Sequence, residues 1–394
     1  MASGRLRRLG IFQHRDNLFR KKSIQKTFLA IIAVVLLKRI FFTDITNALR
    51  GINKYESEIE SETKFEIESE TKFEPLLTDD TEGEWKRELL GRLDAVRKKC
   101  GVLCSINDKE SLDKHLARVQ NTMDYEFPHH LEAPVNCRRL FELEEIDTAH
   151  ATIPEKPPNE LEPFYTLNGL VGVDIKTIYR NIYLESDKTN VWTEEGIDTL
   201  IQGYKTSQLK GATYGPEPVL RLFQLMKESR VLKEKSVLVI GSEQPWLESA
   251  ALAAGATKVT TLEYSAIESW HPRIETMTPK EFRAGYLNGN LTNDTYDSVL
   301  SYSSLEHSEL GRYGDALNPW GDILTVAMAW CVTKDDGLLM VDVPSGQDRI
   351  HWNAHRYYGK YRWALLTINW TPLTPMPPKI STHGTRLFQK IPQK

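Results

Sequence analysis

Glu306, His307, Arg312 and Asp315 crowd into one stretch, SYSSLEHSELGRYGD at residues 301–315. Such a set can do acid–base work. An imidazole titrates near neutral pH, so His307 can take a proton from a substrate hydroxyl as a group is transferred to that oxygen, with Glu306 beside it. Arg312 can clamp a carboxylate or phosphate on an acceptor through its planar fork, and Asp315 offers a second polar contact. The same residues also suit a hydrogen-bonded brace around the turns at Gly311 and Gly314, and a metal site is the third reading. A second polar block, HWNAHRYYGKYRW at residues 351–363, reads as a helical lid that brings His355 and a stacked Arg356 over the same place.

These residues need a scaffold, and the flanking pattern supplies one. SVLVIGS, KVTTLEY, YDSVLSYSS and GLLMVDVP read as strands. Between them lie the helix PWLESAALAAGA, with Pro245 near its first turn and Gly255 at its end, and a helix from Asn318 to Val332 with Asn318 as cap. This alternation predicts an α/β domain built on a doubly wound, mostly parallel sheet covered on both faces. In such a sheet the ligand sits beyond the carboxyl ends of the strands, at Gly241–Trp246, Glu263 and Tyr264, Ser303–Asp315 and Pro344–Gly346. Glu263 stands 22 residues after Gly241, where an acid can accept hydrogen bonds from both hydroxyls of a ribose; a solvated surface carboxylate is the plainer alternative.

The loop GSEQPW has one glycine where a dinucleotide site has three. A pyrophosphate must approach backbone N–H groups closely, and here Pro245 has no N–H and Trp246 is bulky, which argues against NAD and FAD. S-adenosyl-L-methionine carries no phosphate. It presents a ribose, an adenine, a zwitterionic amino acid and a cationic sulfonium, so a loop with Gly241 and Glu243 is compatible with it. Glu243 faces either the ammonium group or solvent. The expected cofactor-binding set is Gly241, Glu243, Glu263, Tyr264 and Ser303; catalysis falls to His307 and Glu306, and the acceptor to Arg312, Asp315, His355 and Arg356. No metal is expected.

From about Leu161 onward the chain resembles an uncharacterised family of Rossmann-type, methyltransferase-like proteins best known from nematodes. VLVIGSEQPWLE, VTTLEY, SSLEHSELGRYGD, DVPSG and WNAHRYYG are the matching blocks. The wider resemblance is to class I S-adenosylmethionine-dependent methyltransferases, whose glycine-rich loop, ribose acid and segment after the fourth strand correspond to Gly241, Glu263 and Ser303–His307. TKDDGLLMV is similar to the turn that introduces the fifth strand in that class. The chain departs from the class in lacking the second and third loop glycines and a recognisable third strand with an acidic adenine contact. The resemblance implies the fold, the cofactor and a small-molecule or glycan acceptor; the alternative is a non-catalytic binding or scaffold module that keeps the fold.

The remainder of the chain reads as appendages. Eight basic residues and one acid precede the apolar run FLAIIAVVLL. Residues 1–27 are therefore read as a basic tail and 28–42 as an uncleaved membrane anchor, with a cleaved signal and a transit peptide or interfacial helix as alternatives; the basic flank places the domain in the lumen of the endoplasmic reticulum or Golgi, against the pull of Lys38, Arg39 and Arg50 on the other side. Residues 43–80, holding the tandem octad IESETKFE, read as an acidic, disordered stalk. Residues 81–160 read as a helical and extended region with Leu89, Leu93, Val96 and Cys100 on one helical face, and 161–394 as the Rossmann domain. Four cysteines suit an oxidising compartment, with Cys100 and Cys104 a remote metal half-site. Sequons at Asn290, Asn293 and Asn369 weakly support a lumen. A net charge of −4 gives no reason to expect nucleic acid, and nothing sets an oligomeric state.

Overall fold

The computed structural model describes residues 79–116, 131–143, 153–175, 178–179, 189–209, 214–229, 231–373 and 385–393. The basic tail, the anchor and nearly all of the stalk lie outside these residues. Among the described residues no helix is long and apolar enough to cross a membrane.

The centre is a seven-stranded sheet: β1 (Ser236–Ile240), β2 (Lys258–Leu262), β3 (Ile274–Met277), β4 (Tyr296–Tyr302), β5 (Thr333–Asp342), β6 (Trp370–Pro372) and β7 (Arg386–Lys390). Its order is β6-β7-β5-β4-β1-β2-β3. The pairings β4–β1, β1–β2, β2–β3 and β4–β5 are parallel, and β7 runs antiparallel to both its neighbours. The chain winds outward in one direction from β1 to β3 and in the other from β4, so the order reverses between β1 and β4. That reversal leaves a crevice at the carboxyl ends of the two strands.

Strand alternation divides the core into two layers. Val237 and Val239 of β1, Val259, Leu300 and Met340 face a layer with α3 (Glu194–Thr206), α4 (Pro216–Ser229) and α5 (Trp246–Ala253). Leu238, Ile240, Val299, Leu339 and Val341 face the other, which holds α1 (Asp79–Cys100), α2 (Cys137–Phe141), α6 (Pro279–Leu287), α7 (Gly321–Val332) and α8 (Lys360–Leu366). Leu89, Leu93, Val96 and Cys100 of α1 are all buried in that second layer. Residues from Thr78 to the C-terminus thus form one compact unit that includes the helical region before the sheet.

Every cysteine is paired: Cys100 with Cys104, and Cys137 with Cys331, which fastens α2 to α7. The metal half-site is thereby corrected, because both sulfurs are consumed in a disulfide.

Helix α7 begins at Gly321, three residues after the expected start. Asn318 instead caps a turn, its Oδ1 accepting from the Trp320 N–H at 3.0 Å. The third strand, unread in the sequence, is the edge strand β3. Thr278 follows it directly, and its side chain and Glu281 form a reciprocal capping box that starts α6.

Candidate functional site

Gly241 directly follows β1 with φ +72°, and a Cβ there would lie 1.7 Å from Ser304 Oγ. Only glycine lets the loops after β1 and β4 meet this closely. Beside their contact lies a cavity of about 250 Å³ lined by the segments after β1, β2 and β4. A smaller one of about 100 Å³ shares Gly241, Glu263, Tyr264, Ser304 and Ser308 with it. Together they reach the size of a small-molecule site. The larger cavity is lined by the carboxylates of Glu243, Glu263 and Asp315, by Tyr214, Trp246, Tyr264, Tyr302 and Tyr313, and by His307; among the described residues no Lys or Arg lines it.

The cavity floor is ordered from behind. Tyr214, Trp246 and Tyr302 meet edge to face with centroids 4.8–5.5 Å apart. Glu263 binds the loop backbone, accepting from the Ser242 N–H at 2.8 Å and the Tyr264 N–H at 2.7 Å. Burial nevertheless lifts its pKa, and that of Asp315 likewise.

Behind the loop, fully buried Glu248 accepts from Ser242 Oγ (3.0 Å) and Thr261 Oγ1 (2.8 Å), and desolvation pushes its pKa up to about 7. A folded-state value above the unfolded one stabilises the protein fully below about pH 4.5 and progressively less as the pH rises through 7. Glu248→Gln should remove a penalty on the order of 3 kcal/mol at pH 8 and flatten the dependence of the melting temperature between pH 5 and 8. A variant whose melting profile keeps the wild-type slope would show that Glu248 is ionised in the fold.

His307 sits in the short 3-10 turn Leu305–His307 and lines the cavity. Its Nδ1 lies 2.6 Å from the Ala354 carbonyl oxygen, an acceptor only, so Nδ1 carries the proton and Nε2 is the basic nitrogen of the neutral ring. Nε2 lies 3.8 Å from Glu306 Oε1, which accepts from Ser303 Oγ at 2.8 Å. Glu306 is buried and lines neither cavity, so it supports the imidazole from beneath.

The structure brings Gly241, Glu243, Glu263, Tyr264, Ser303, His307 and Asp315 around one cavity. It does not bring Arg312, His355 or Arg356 there. Arg312 stacks over Tyr179 and Tyr313, with centroid distances of 4.8 and 5.2 Å. His355 stands with its ring centroid 6.0 Å from that of His307, on a short strand paired with Arg349–His351.

The expected lid is corrected. Arg356 is fully buried, with Nη1 donating to the Ser308 carbonyl (2.6 Å), Nη2 to the Asn318 carbonyl (3.3 Å) and Nε 3.7 Å from Asp322 Oδ1. Trp352, Tyr358 and Trp363 are buried with it, so the block is part of the domain body.

Two acids were missed: Glu248 and Glu309. Glu309 lines the smaller cavity beside Asn318, and burial, followed by the nearby Asp315, pushes its pKa up to about 8. Gly321 makes room for it, since a Cβ there would lie 2.4 Å from Glu309 Oε2. The spacing Glu309–Asn318–Gly321 has no periodic signature. Among the described residues no group of three or more His, Cys, Asp or Glu could hold a metal ion.

Residues 234–375 match the model of a family described as "Caenorhabditis protein of unknown function, DUF268", and all five motif blocks fall inside that span. No curated protein matches the chain. Among solved structures, the chain is similar to the Burkholderia thailandensis 1,6-didemethyltoxoflavin-N1-methyltransferase, bound to 1,6-didemethyltoxoflavin and S-adenosylhomocysteine. That match has 15% identity over 50% of this chain and 87% of that one, with a TM-score of 0.34. A Listeria monocytogenes protein provisionally named an S-adenosylmethionine-dependent methyltransferase matches at 13% identity, over 45% of this chain and 97% of that one, with a TM-score of 0.29. A provisionally named hemolysin from Lactococcus lactis matches at 14% identity, over 43% and 84%, also with a TM-score of 0.29.

Proposed function

We propose that the domain is an S-adenosylmethionine-dependent methyltransferase acting on a small-molecule or glycan acceptor. The observation that carries this reading is the cavity at the β1/β4 reversal, with three carboxylates, five aromatic side chains and, among the described residues, no Lys or Arg. Such a lining suits a cationic ligand and repels a phosphate. A sulfonium and an ammonium fit it, whereas a dinucleotide does not. Glu263 and Tyr264 would hold the ribose side and Glu243 the amino-acid end.

When bound, this cofactor supplies an electrophilic methyl group. His307 Nε2 takes the proton from an acceptor hydroxyl as that oxygen bonds the methyl, and the Ala354 carbonyl holds the ring in the required tautomer. The cofactor's positive charge would be given up with the methyl group, and the proton held at His307 Nε2 would carry that charge on the imidazolium. Arg312, stacked on Tyr179 and Tyr313, and His355 lie outside the cavity lining, so the acceptor is read from the carboxylates and aromatic rings that do line it.

One observation favours a non-catalytic binding or scaffold module instead. Both oxygens of Glu263 already accept backbone N–H groups, so the acid has a structural task without any ligand.

Calorimetry on residues 78–394 with S-adenosylmethionine, its demethylated product and NAD separates the two. Binding of the first two, tightening with rising pH as Glu263 and Asp315 ionise, is the expected result. Glu263→Ala should weaken it about 10- to 100-fold, the equivalent of roughly 1 to 3 kcal/mol. No heat from a folded sample with either S-adenosylmethionine or its demethylated product would leave the scaffold reading standing.

The domain is further proposed to lie in an oxidising lumen behind a single-pass anchor. Its support is that all four cysteines are paired, including one pair 194 residues apart.

A further inference from the structure

The three sequons have opposite surroundings. Asn369 is 3% exposed, and its side chain is tied both ways to a distant segment. Oδ1 accepts from the Ala133 N–H at 2.9 Å and Nδ2 donates to the Ala133 carbonyl at 2.8 Å. A sugar on that nitrogen would have to break the pair and open the core, so a chain modified there could not complete this fold.

Asn290 and Asn293 are both exposed, in the loop that follows α6. Buried Leu291 pins the loop between them. The turn is closed by the Thr292 N–H donating to Thr295 Oγ1 at 2.7 Å and the Asp294 N–H donating to Thr292 Oγ1 at 3.3 Å. A well-held turn with its asparagines in solvent accommodates a large polar substituent without disturbing the core. The loop feeds the amino end of β4, and the cavity opens at the carboxyl end of that strand, roughly 20 Å away along seven residues.

We propose that the loop 288–295 is an N-glycosylation site, occupied at Asn290, Asn293 or both, and that Asn369 is never modified in the folded protein. The inference rests on the luminal reading of the compartment. In the reaction the asparagine amide nitrogen bonds the anomeric carbon of a lipid-linked sugar diphosphate. The carbon–oxygen bond to the diphosphate breaks and one amide proton is released. The glycan would then mark the end of the sheet opposite the cavity, leaving ligand entry open.

The test is expression of the full chain in animal cells followed by peptide N-glycosidase digestion and gel mobility. Wild-type protein should shift by one or two glycans. Asn290→Gln/Asn293→Gln should show no shift. Thr371→Val, which removes the third sequon while keeping Asn369 in place, should shift like wild type.

The proposal is overturned by a wild-type chain that does not shift, by a shift that survives in the double variant, or by a shift that Thr371→Val reduces. Thiol labelling of the denatured, unreduced protein separates the two layers. Absent thiols without a glycan would sink the site and leave the compartment reading intact. Reactive thiols would remove the compartment reading, and the site with it.

Discussion

Arg356→Met is expected to cost about 3 to 5 kcal/mol of stability, a large fraction of what a domain of this size has. The guanidinium has no exposure and lies against Asp322, itself 1% exposed, while Tyr358 Oη donates to Asp322 Oδ2 at 2.8 Å. Removing the cation leaves the Asp322 carboxylate buried opposite an apolar side chain, takes the guanidinium donor from the Ser308 carbonyl, and leaves the Asn318 carbonyl with the Gly321 N–H alone. Those carbonyls belong to the loop between β4 and α7, so the loss spreads to the cavity wall. Denaturant melts should therefore show a sharply lower midpoint. Arg356→Met/Asp322→Asn should recover much of it, because the second change removes the unpaired charge. If the single variant instead stays within about 1 kcal/mol of wild type while acceptor KM rises, Arg356 faces a ligand and the buried pair is not what holds the loop.

For His307→Ala, turnover is expected to fall about 100- to 10,000-fold, the usual contribution of a positioned base, with cofactor affinity nearly unchanged. The argument is the tautomer: a ring that donates from Nδ1 to Ala354 presents Nε2 as a base. A merely structural imidazole predicts another result. Its loss would leave the Ala354 carbonyl without its 2.6 Å partner and lower stability by about 1 to 3 kcal/mol whether or not turnover exists. Melting temperature and kcat measured on the same preparation decide it, with the kcat–pH profile as the second readout, since a lost base removes its acidic limb. A less stable variant whose folded fraction turns over at the wild-type rate would end the catalytic assignment.

Much of the sheet was legible because its central strands are long apolar runs between sharp punctuation. Val237–Ile240 and Val299–Ser301 are buried on both faces, and the glycines at 241 and 255 stand at the expected turns. Edge strands gave weaker signals. β3 carries an exposed Glu275 and spans only four residues, and β6 only three, too few for alternation to register.

Among site residues, Gly241, Glu263 and His307 were readable because the position after a parallel strand is itself informative. Arg356 was misread because sequence shows that a charge exists, and only packing shows that Asp322 and two carbonyls have come to meet it. Glu309 was passed over for a similar reason. Its cavity is made by a glycine on a helix twelve residues later, a relation between elements that no local pattern encodes.

The two disulfides differ in when the chain can close them. Cys104 follows Cys100 by four residues, so that bond can form as soon as one helical turn has left the ribosome. Cys137 must wait for Cys331, about 194 residues and most of the sheet later. During that interval, at translation speeds of about 5–20 residues per second, Cys137 is a thiol with no correct partner yet made. Early closure of the small ring takes Cys100 and Cys104 out of competition and reserves Cys137 for the helix that will cover the second layer. With Cys100 and Cys104 joined to each other, Cys137 and Cys331 are left as the one remaining match among the four cysteines, so the short ring narrows the pairing choice for the bond that spans the sheet.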